Sequence, residues 1–428
     1  MKRVLMYSQD GMGLGHLRRS SNIAHELLRT NESCDVLIVA DSPATRVFAA
    51  RPGIDVLKLP TIIKTGSASW RSTNWRNGAL SMDVRRVIEL RSHLILQTFR
   101  DFRPDTVLID HMPVGALGEL KPMLDVALDQ RVPPRLFLGL RDILDSPAVI
   151  RRVWRHLGAY DYLSQFDAVL VYGSRDIYDA TVAYELGPYA RRVVYCNYVS
   201  PNARHTLLDH RADEPFVLVT GGGGADAFPL ESEVLTALPR LHPKLHMGAV
   251  MLTGPNMRAA ERETLLSRAS PMVRFESSFD KAAEWIQKAS IIVTMGGYNS
   301  LCEVLKWRKK AVVVPRQGPS TEQRTRARLF GERRLVGVLD FEDLTSERLA
   351  NELESLLSNE AVPDLANIPG LDGAERAAEV LLRSDGELGD RVAGQLIAKG
   401  GIGSSVSGLN GATPSPVPGT TTNPVGIS

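Results

Sequence analysis

Three glycine-bearing turns and the ionisable side chains beside them hold most of the chemistry this chain can do. The first turn is Gly11-Met-Gly13-Leu-Gly15-His16. Glycines after a strand let backbone approach a ligand closely. The helix that follows offers unpaired N–H groups and a positive dipole end. His16 ends the turn, and an imidazole transfers protons near neutral pH. His16 is therefore the leading candidate for a general base, with a loop-positioning part as its alternative. Asp10, Asp110, His111 and Asp142 are rival bases. Each follows a predicted strand at the end where open α/β sheets build their sites. The G-x-G-x-G spacing departs from the G-x-G-x-x-G of dinucleotide folds, with His16 in place of the third glycine. Asp41, at the end of the second apolar strand, keeps a nicotinamide-dinucleotide alternative open.

The second turn runs from Thr220 through Gly221, Gly222, Gly223 and Gly224 to Asp226. It lacks the Lys-Ser/Thr pair of a P-loop, which disfavours Walker-type ATP binding. Its bare N–H groups suit a diphosphate. The third turn is Met295-Gly296-Gly297-Tyr-Asn299-Ser300-Leu-Cys-Glu303. Asn299 and Ser300 can cap the next helix or bind phosphate. Glu303, one turn further on, can accept hydrogen bonds from two adjacent hydroxyls, as on a ribose, or simply complement the positive helix end. Arg316, Arg324, Arg326, Arg328, Arg333 and Arg334 crowd the following stretch. They read either as a solvated helix face or as phosphate contacts.

Strands and helices that alternate along the chain must position these turns. Apolar runs at Val4–Tyr7, Val36–Ala40, Val56–Leu59, Thr106–Ile109, Leu136–Leu140, Ala168–Tyr172 and Arg192–Tyr195 read as buried parallel strands. A polar stretch, Thr61–Leu80, reads as a long loop carrying Trp70 and Trp75. Aromatic faces there can stack on an acceptor or pack internally. The pattern restarts at Phe216–Thr220 and continues through Gly248–Leu252, Ile291–Thr294 and Ala311–Pro315, with helices at Ser346–Ser358 and Ala374–Arg383. The expected organisation is a first Rossmann-like domain over 1–200, a linker over 201–214, a second domain over 215–385 and a low-complexity tail over 386–428.

Bulk properties narrow the class. Fifty-one basic against 49 acidic residues leave a formal charge of +2, which gives no footprint for nucleic acid. Cys34, Cys196 and Cys302 lie far apart, without zinc spacing, and fit a reducing compartment. No window reaches the roughly 20 apolar residues of a membrane span. The expected location is the cytoplasm, with peripheral contact at the inner membrane face left open.

The segment FDKAAEWIQKASIIVTMGGYNSLCEVLKWRKKAVVVPR resembles the C-terminal domain of family-28 glycosyltransferases, which include the N-acetylglucosaminyl transferase that completes lipid II. The likeness covers roughly Phe216 to Leu356, and GLGH extends it into the first half. GLGHLRR, LRDILDSP and the GGGGAD turn are similar to a branch of bacterial predicted glycosyltransferases. The resemblance implies a GT-B architecture, two doubly wound domains facing across a cleft. It implies inverting transfer of a hexose-type sugar from a nucleotide diphosphate such as a UDP-sugar to a hydroxyl of a sugar or lipid-linked acceptor. By motif position, Gly222–Gly224 face the diphosphate and Phe275 flanks the base. Ser300 lies near phosphate, Glu303 holds the ribose, and Glu322 and Gln323 contact the sugar. Gly13, Gly15, Gly296, Gly297 and Asn299 complete the donor set. No Asp-x-Asp pair suited to a metal is evident, so neither metal nor cofactor is expected. The remaining alternatives are a GT-B nucleotide-sugar epimerase or hydrolase, an oxidoreductase, and a non-catalytic sugar-nucleotide-binding protein.

Overall fold

The run Val4 to Tyr7 is buried on both faces, which suits an inner strand of a parallel sheet covered by helices. In a computed structural model describing residues 1–9, 15–42, 51–64, 75–78, 80–200, 215–245, 247–276, 282–318 and 320–383, that run is β1 (Lys2–Ser8). It is followed by β2 (Cys34–Ala40), β3 (Ile54–Lys58), β4 (Ile62–Lys64), β5 (Trp75–Asn77), β6 (Thr106–Asp110), β7 (Arg135–Arg141), β8 (Ala168–Tyr172) and β9 (Val193–Tyr195). Seven of these form a sheet in the order β3-β2-β1-β6-β7-β8-β9, all pairs parallel. The second sheet uses β10 (Phe216–Thr220), β11 (Gly248–Leu252), β12 (Val273–Glu276), β13 (Ile291–Thr294), β14 (Lys310–Val313) and β15 (Gly337–Val338). Its order is β12-β11-β10-β13-β14-β15, again parallel.

Both orders reverse beside their first strand. The crevice at such a reversal is where doubly wound sheets bind ligands. The first and second glycine turns follow β1 and β10, and the third follows β13, which is β10's partner. Strand order therefore places the Gly15-His16 end of the first turn at one crevice and the second and third turns at the other.

The helices that matter to the site are α1 (Gly15–Thr30), α2 (Val84–Phe102), α3 (Phe228–Leu245), α4 (Ala259–Leu266), α5 (Tyr298–Lys306), α6 (Glu322–Glu332), α7 (Ser346–Ser358) and α8 (Gly373–Leu382). One apolar cluster runs through both lobes. It joins Leu17 and Ile23 of α1 to Leu301 and Cys302 of α5 and to Ala374 and Ala377 of α8. The last described helix thus returns to the first lobe. Lys2 Nζ donates to Leu381 O at 2.8 Å, and Asn197 Nδ2 to Asp372 Oδ1 at 2.7 Å.

Several expectations change. Within the expected loop 61–80, β4 and β5 pair antiparallel. Three-residue arms are too short to display a period of two. Strand β12 was not evident in sequence; it is a partly exposed edge with apolar residues only at Val273 and Phe275. Asp41 is fully buried and paired with Arg91 at 3.0 Å, while Arg91 also holds Glu119 at 3.0 Å. A carboxylate locked there cannot meet a ribose, which removes the support for a dinucleotide site. The arginine-rich stretch divides. Arg324 and Arg328 make exposed pairs with Glu342 and Glu332, Arg316 borders the cleft, and Arg326 is 1% exposed. The candidates Asp10, Gly13 and Trp70, the linker 201–214 and the tail 386–428 lie outside the described residues, as does the side chain of Trp75.

Candidate active site

Between the two crevices lies a cavity of about 340 Å³, within the ~300–1,000 Å³ usual for small-molecule sites. Gly15 and His16 border it from the first lobe. Gly222, Gly223, Gly224, Gly297, Asn299, Ser300, Glu322 and Gln323 border it from the second. The two helix N-termini meet directly, since Asn299 Nδ2 donates to Gly15 O at 3.2 Å. Both positive ends therefore point at one space, which favours an anion there.

The second turn owes its shape to its glycines. Gly224 has φ +90°, and a Cβ there would stand 2.2 Å from Thr253 O. Gly223 faces only the Nδ2 of Asn256, 3.1 Å from where its Cβ would be. The turn is thus pressed against the 253–256 loop on one side and open to the cavity on the other.

His16 is held by the strand end of β6. Its Nδ1 lies 2.7 Å from Asp110 Oδ2. Asp110 also accepts from Arg19, at 2.9 Å on Oδ1 and 2.6 Å on Oδ2. Burial by itself would raise the Asp110 carboxyl, but the charges of Arg19 and His16 and their hydrogen bonds outweigh it and hold it below the usual carboxylate range. An ionised carboxylate only accepts, so we assign the Nδ1 proton to the Asp110 contact; Arg19 Nη2, itself a donor, also lies 2.8 Å from Nδ1. Arg19 is 1% exposed and lies over the Tyr172 and Tyr298 rings, 5.4 Å from each centroid. His111 packs against His16 with ring centroids 4.7 Å apart and planes tilted by 49°, and its φ of 79° is unusual for a side-chain-bearing residue. Such backbone strain, worth roughly 1–3 kcal/mol, is found disproportionately at functional sites.

Asp142 sits one strand over and has a different environment. Arg326 grips both its oxygens, at 2.7 Å each, and it does not border the cavity. The structure joins Asp142 to the second lobe and Asp110 to His16. Glu322, expected at the sugar, is ringed by Arg141 at 2.6 Å, Arg326 at 3.7 Å and Arg316 at 3.9 Å. Burial would raise it, but Arg141, Arg326 and Arg316 together hold it low. Gln323 Oε1 accepts from Arg316 N at 3.3 Å. Gly296 lies behind the cavity wall, its carbonyl accepting from Arg326 at 3.1 Å. Phe275 packs against the apolar cluster of the second sheet instead of the cavity. Glu303 is 2% exposed and sits behind Arg18, whose two terminal nitrogens contact its two oxygens.

Arg18, Arg19 and Arg141 were not among the residues singled out from the sequence, yet all three border the cavity. The available signal was the Arg-Arg pair one turn beyond His16 and the Arg-Asp at the end of β7. Among the described residues, no three His, Cys, Asp or Glu side chains gather as a metal-ligand group, and no helix is long and apolar enough to cross a membrane.

Residues 216–375 match the model of the glycosyltransferase family 28 C-terminal domain. A curated relative is the UDP-N-acetylglucosamine–N-acetylmuramyl-(pentapeptide) pyrophosphoryl-undecaprenol N-acetylglucosamine transferase of Natranaerobius thermophilus. It is 19% identical over 369 residues, covering 81% of this chain and 89% of that protein. Among solved structures, the glycotransferase of kitacinnamycin superposes with a TM-score of 0.59 at 18% identity, over 93% of this chain and 98% of that one. MurG of Acinetobacter baumannii superposes with a TM-score of 0.51 at 17% identity, over 93% and 100%. In its second half, then, the chain is like glycosyltransferase family 28, and its two facing parallel sheets have the GT-B fold.

Proposed function

We propose that this chain is an inverting glycosyltransferase. It moves a hexose-type sugar from a nucleoside-diphosphate sugar, with UDP-sugars the first donors to test, to a hydroxyl of a sugar or lipid-linked acceptor. The relatives named above support sugar transfer, and the single observation that carries the assignment is the His16–Asp110 dyad at the mouth of an amide-lined cavity. In the proposed step, the acceptor oxygen forms a bond to the anomeric carbon while the bond from that carbon to the phosphate oxygen breaks. The electron pair stays on the departing diphosphate. The acceptor proton passes to His16 Nε2, since Nδ1 is engaged with Asp110, whose negative charge stabilises the imidazolium that forms.

Charge on the departing diphosphate is met by the amides of Gly222–Gly224, the α5 N-terminus and the neighbouring arginines, so we propose transfer without a metal ion or cofactor. The acceptor binds against the first lobe, which carries His16. A lipid-linked acceptor would bring the cytoplasmic protein to the inner membrane face as a peripheral visitor.

The test is nucleoside diphosphate release from a panel of UDP-, GDP-, TDP- and ADP-sugars, with and without hydroxyl acceptors and with EDTA. The proposal expects one donor to be consumed only when an acceptor is present, at an unchanged rate in EDTA. Isomerisation or hydrolysis of the donor alone would replace transfer with epimerase or hydrolase chemistry.

A further inference from the structure

Arg18 occupies an unexpected place for the residue two beyond the proposed base. Its side chain is 18% exposed and borders the cavity, and its guanidinium reaches across the cleft from α1 to both oxygens of Glu303 on α5. Glu303 itself does not border the cavity. Any hydroxyl pair that reaches this carboxylate from the cavity must first move Arg18 aside. A guanidinium displaced there needs another anion, because a charge withdrawn from its partner in a narrow cleft is costly. The same cavity is bordered by the amide cradle of Gly222–Gly224. A diphosphate held in that cradle presents paired oxygens that match the guanidinium fork as a carboxylate does.

The geometry points to Arg18 as a donor-binding residue that exchanges partners: the ribose takes Glu303, and Arg18 takes the diphosphate. The inference rests on the nucleoside diphosphate donor proposed above and adds to it a cation from the opposite lobe. The exchange has two effects. The first lobe, through α1, grips the same ligand as the second, so His16 is drawn towards the bound sugar. Charge developing on the leaving diphosphate meets a cation that was neutralised by a carboxylate before the donor arrived. It also predicts opposite consequences for the two parts of the ligand. Arg18 obstructs the nucleoside and attracts the phosphates.

The experiment is calorimetric titration of wild type, Arg18→Gln and Arg18→Lys with UDP and with uridine, and with GDP, TDP and ADP and their nucleosides where uridine compounds do not bind. Melting curves check that each variant is folded. In Arg18→Gln, affinity for the diphosphate should fall roughly ten- to hundredfold, the worth of a hydrogen bond to a charged group. Affinity for the nucleoside alone should hold or rise, because Glu303 is uncovered. Arg18→Lys keeps the charge but not the fork, and should lie between the two; it also serves if the glutamine variant fails to fold. Equal losses for diphosphate and nucleoside in the folded variants would make Arg18 a structural residue and overturn the exchange. So would no change in either. A wild-type protein that binds none of the diphosphates would instead remove the donor assignment and this inference with it.

Discussion

Two aspartates at adjacent strand ends offer a matched comparison. Asp110 and Asp142 are each 2% exposed, and each is gripped on both oxygens by an arginine that is 1% exposed, Arg19 and Arg326 respectively. Only Asp110 touches His16. Replacing either by asparagine removes one charge of a buried pair and leaves a guanidinium uncompensated. That loss costs about 3–5 kcal/mol. The two variants should therefore lose similar stability in urea melts. Their kinetics should differ. Asp110→Asn deprives His16 of the carboxylate that orients it and stabilises its cation, so kcat should fall by roughly 10²–10⁴, the range of general-base catalysis. Asp142→Asn should change kcat by no more than a few-fold, although it weakens a contact between the lobes. The assay is steady-state release of nucleoside diphosphate at saturating donor, at a temperature where both variants are folded. Equal kcat losses would refute the assignment of Asp110 to the base, and a larger loss for Asp142→Asn would transfer that role.

Other positions make separate predictions. Glu231, in α3, is fully buried, neither carboxylate oxygen has a hydrogen-bond partner among the described residues, and burial pushes its carboxyl up to about 8 despite Arg262 nearby. The folded protein keeps this proton while the unfolded chain releases it near pH 4.5, so stability should fall as pH rises from there to about 8. Glu231→Gln should remove that slope and raise the melting temperature at pH 8 but not at pH 5, by at most ~5 kcal/mol in stability. A gain equal at both pH values would contradict the buried neutral acid. Gly223→Ala meets only the end of the flexible Asn256 side chain, so it should fold normally yet bind nucleoside diphosphate about tenfold more weakly as its methyl crowds the amide cradle. Gly224→Ala, by contrast, drives a methyl into the Thr253 carbonyl and should lower the melting temperature itself, with or without ligand. Identical melting curves for the two alanine variants would show that the turn is not built as described.

How much of this was legible in sequence depended on distance along the chain. The three glycine turns, the buried strands and the proline-ended strand near Val312 are local patterns, and two parallel sheets follow from where they recur. The partners of the ionisable residues are not local. His16 and Asp110 are 94 positions apart, and Arg18 and Glu303 are 285 apart. Glu303 shows what residue type alone leaves out. Its place one turn inside a helix marked it as facing a ligand, but its accessibility is controlled by an arginine from the other lobe. Asp41 is a similar case. Its position at a strand end fitted a ribose-binding acid, whereas Arg91 on α2 neutralises it beneath the sheet. The short hairpin of β4 and β5 escaped detection because a three-residue arm gives no periodicity to read.

A crystal structure with UDP, or whichever nucleoside diphosphate shifts the melting curve most, tests the core of the mechanism directly. Phosphate oxygens should lie within about 3 Å of backbone nitrogens in the Gly222–Gly224 turn, with the terminal phosphate directed towards His16. Nucleotide bound outside the cleft, or in it with the phosphates turned away from that glycine turn, would contradict the mechanism.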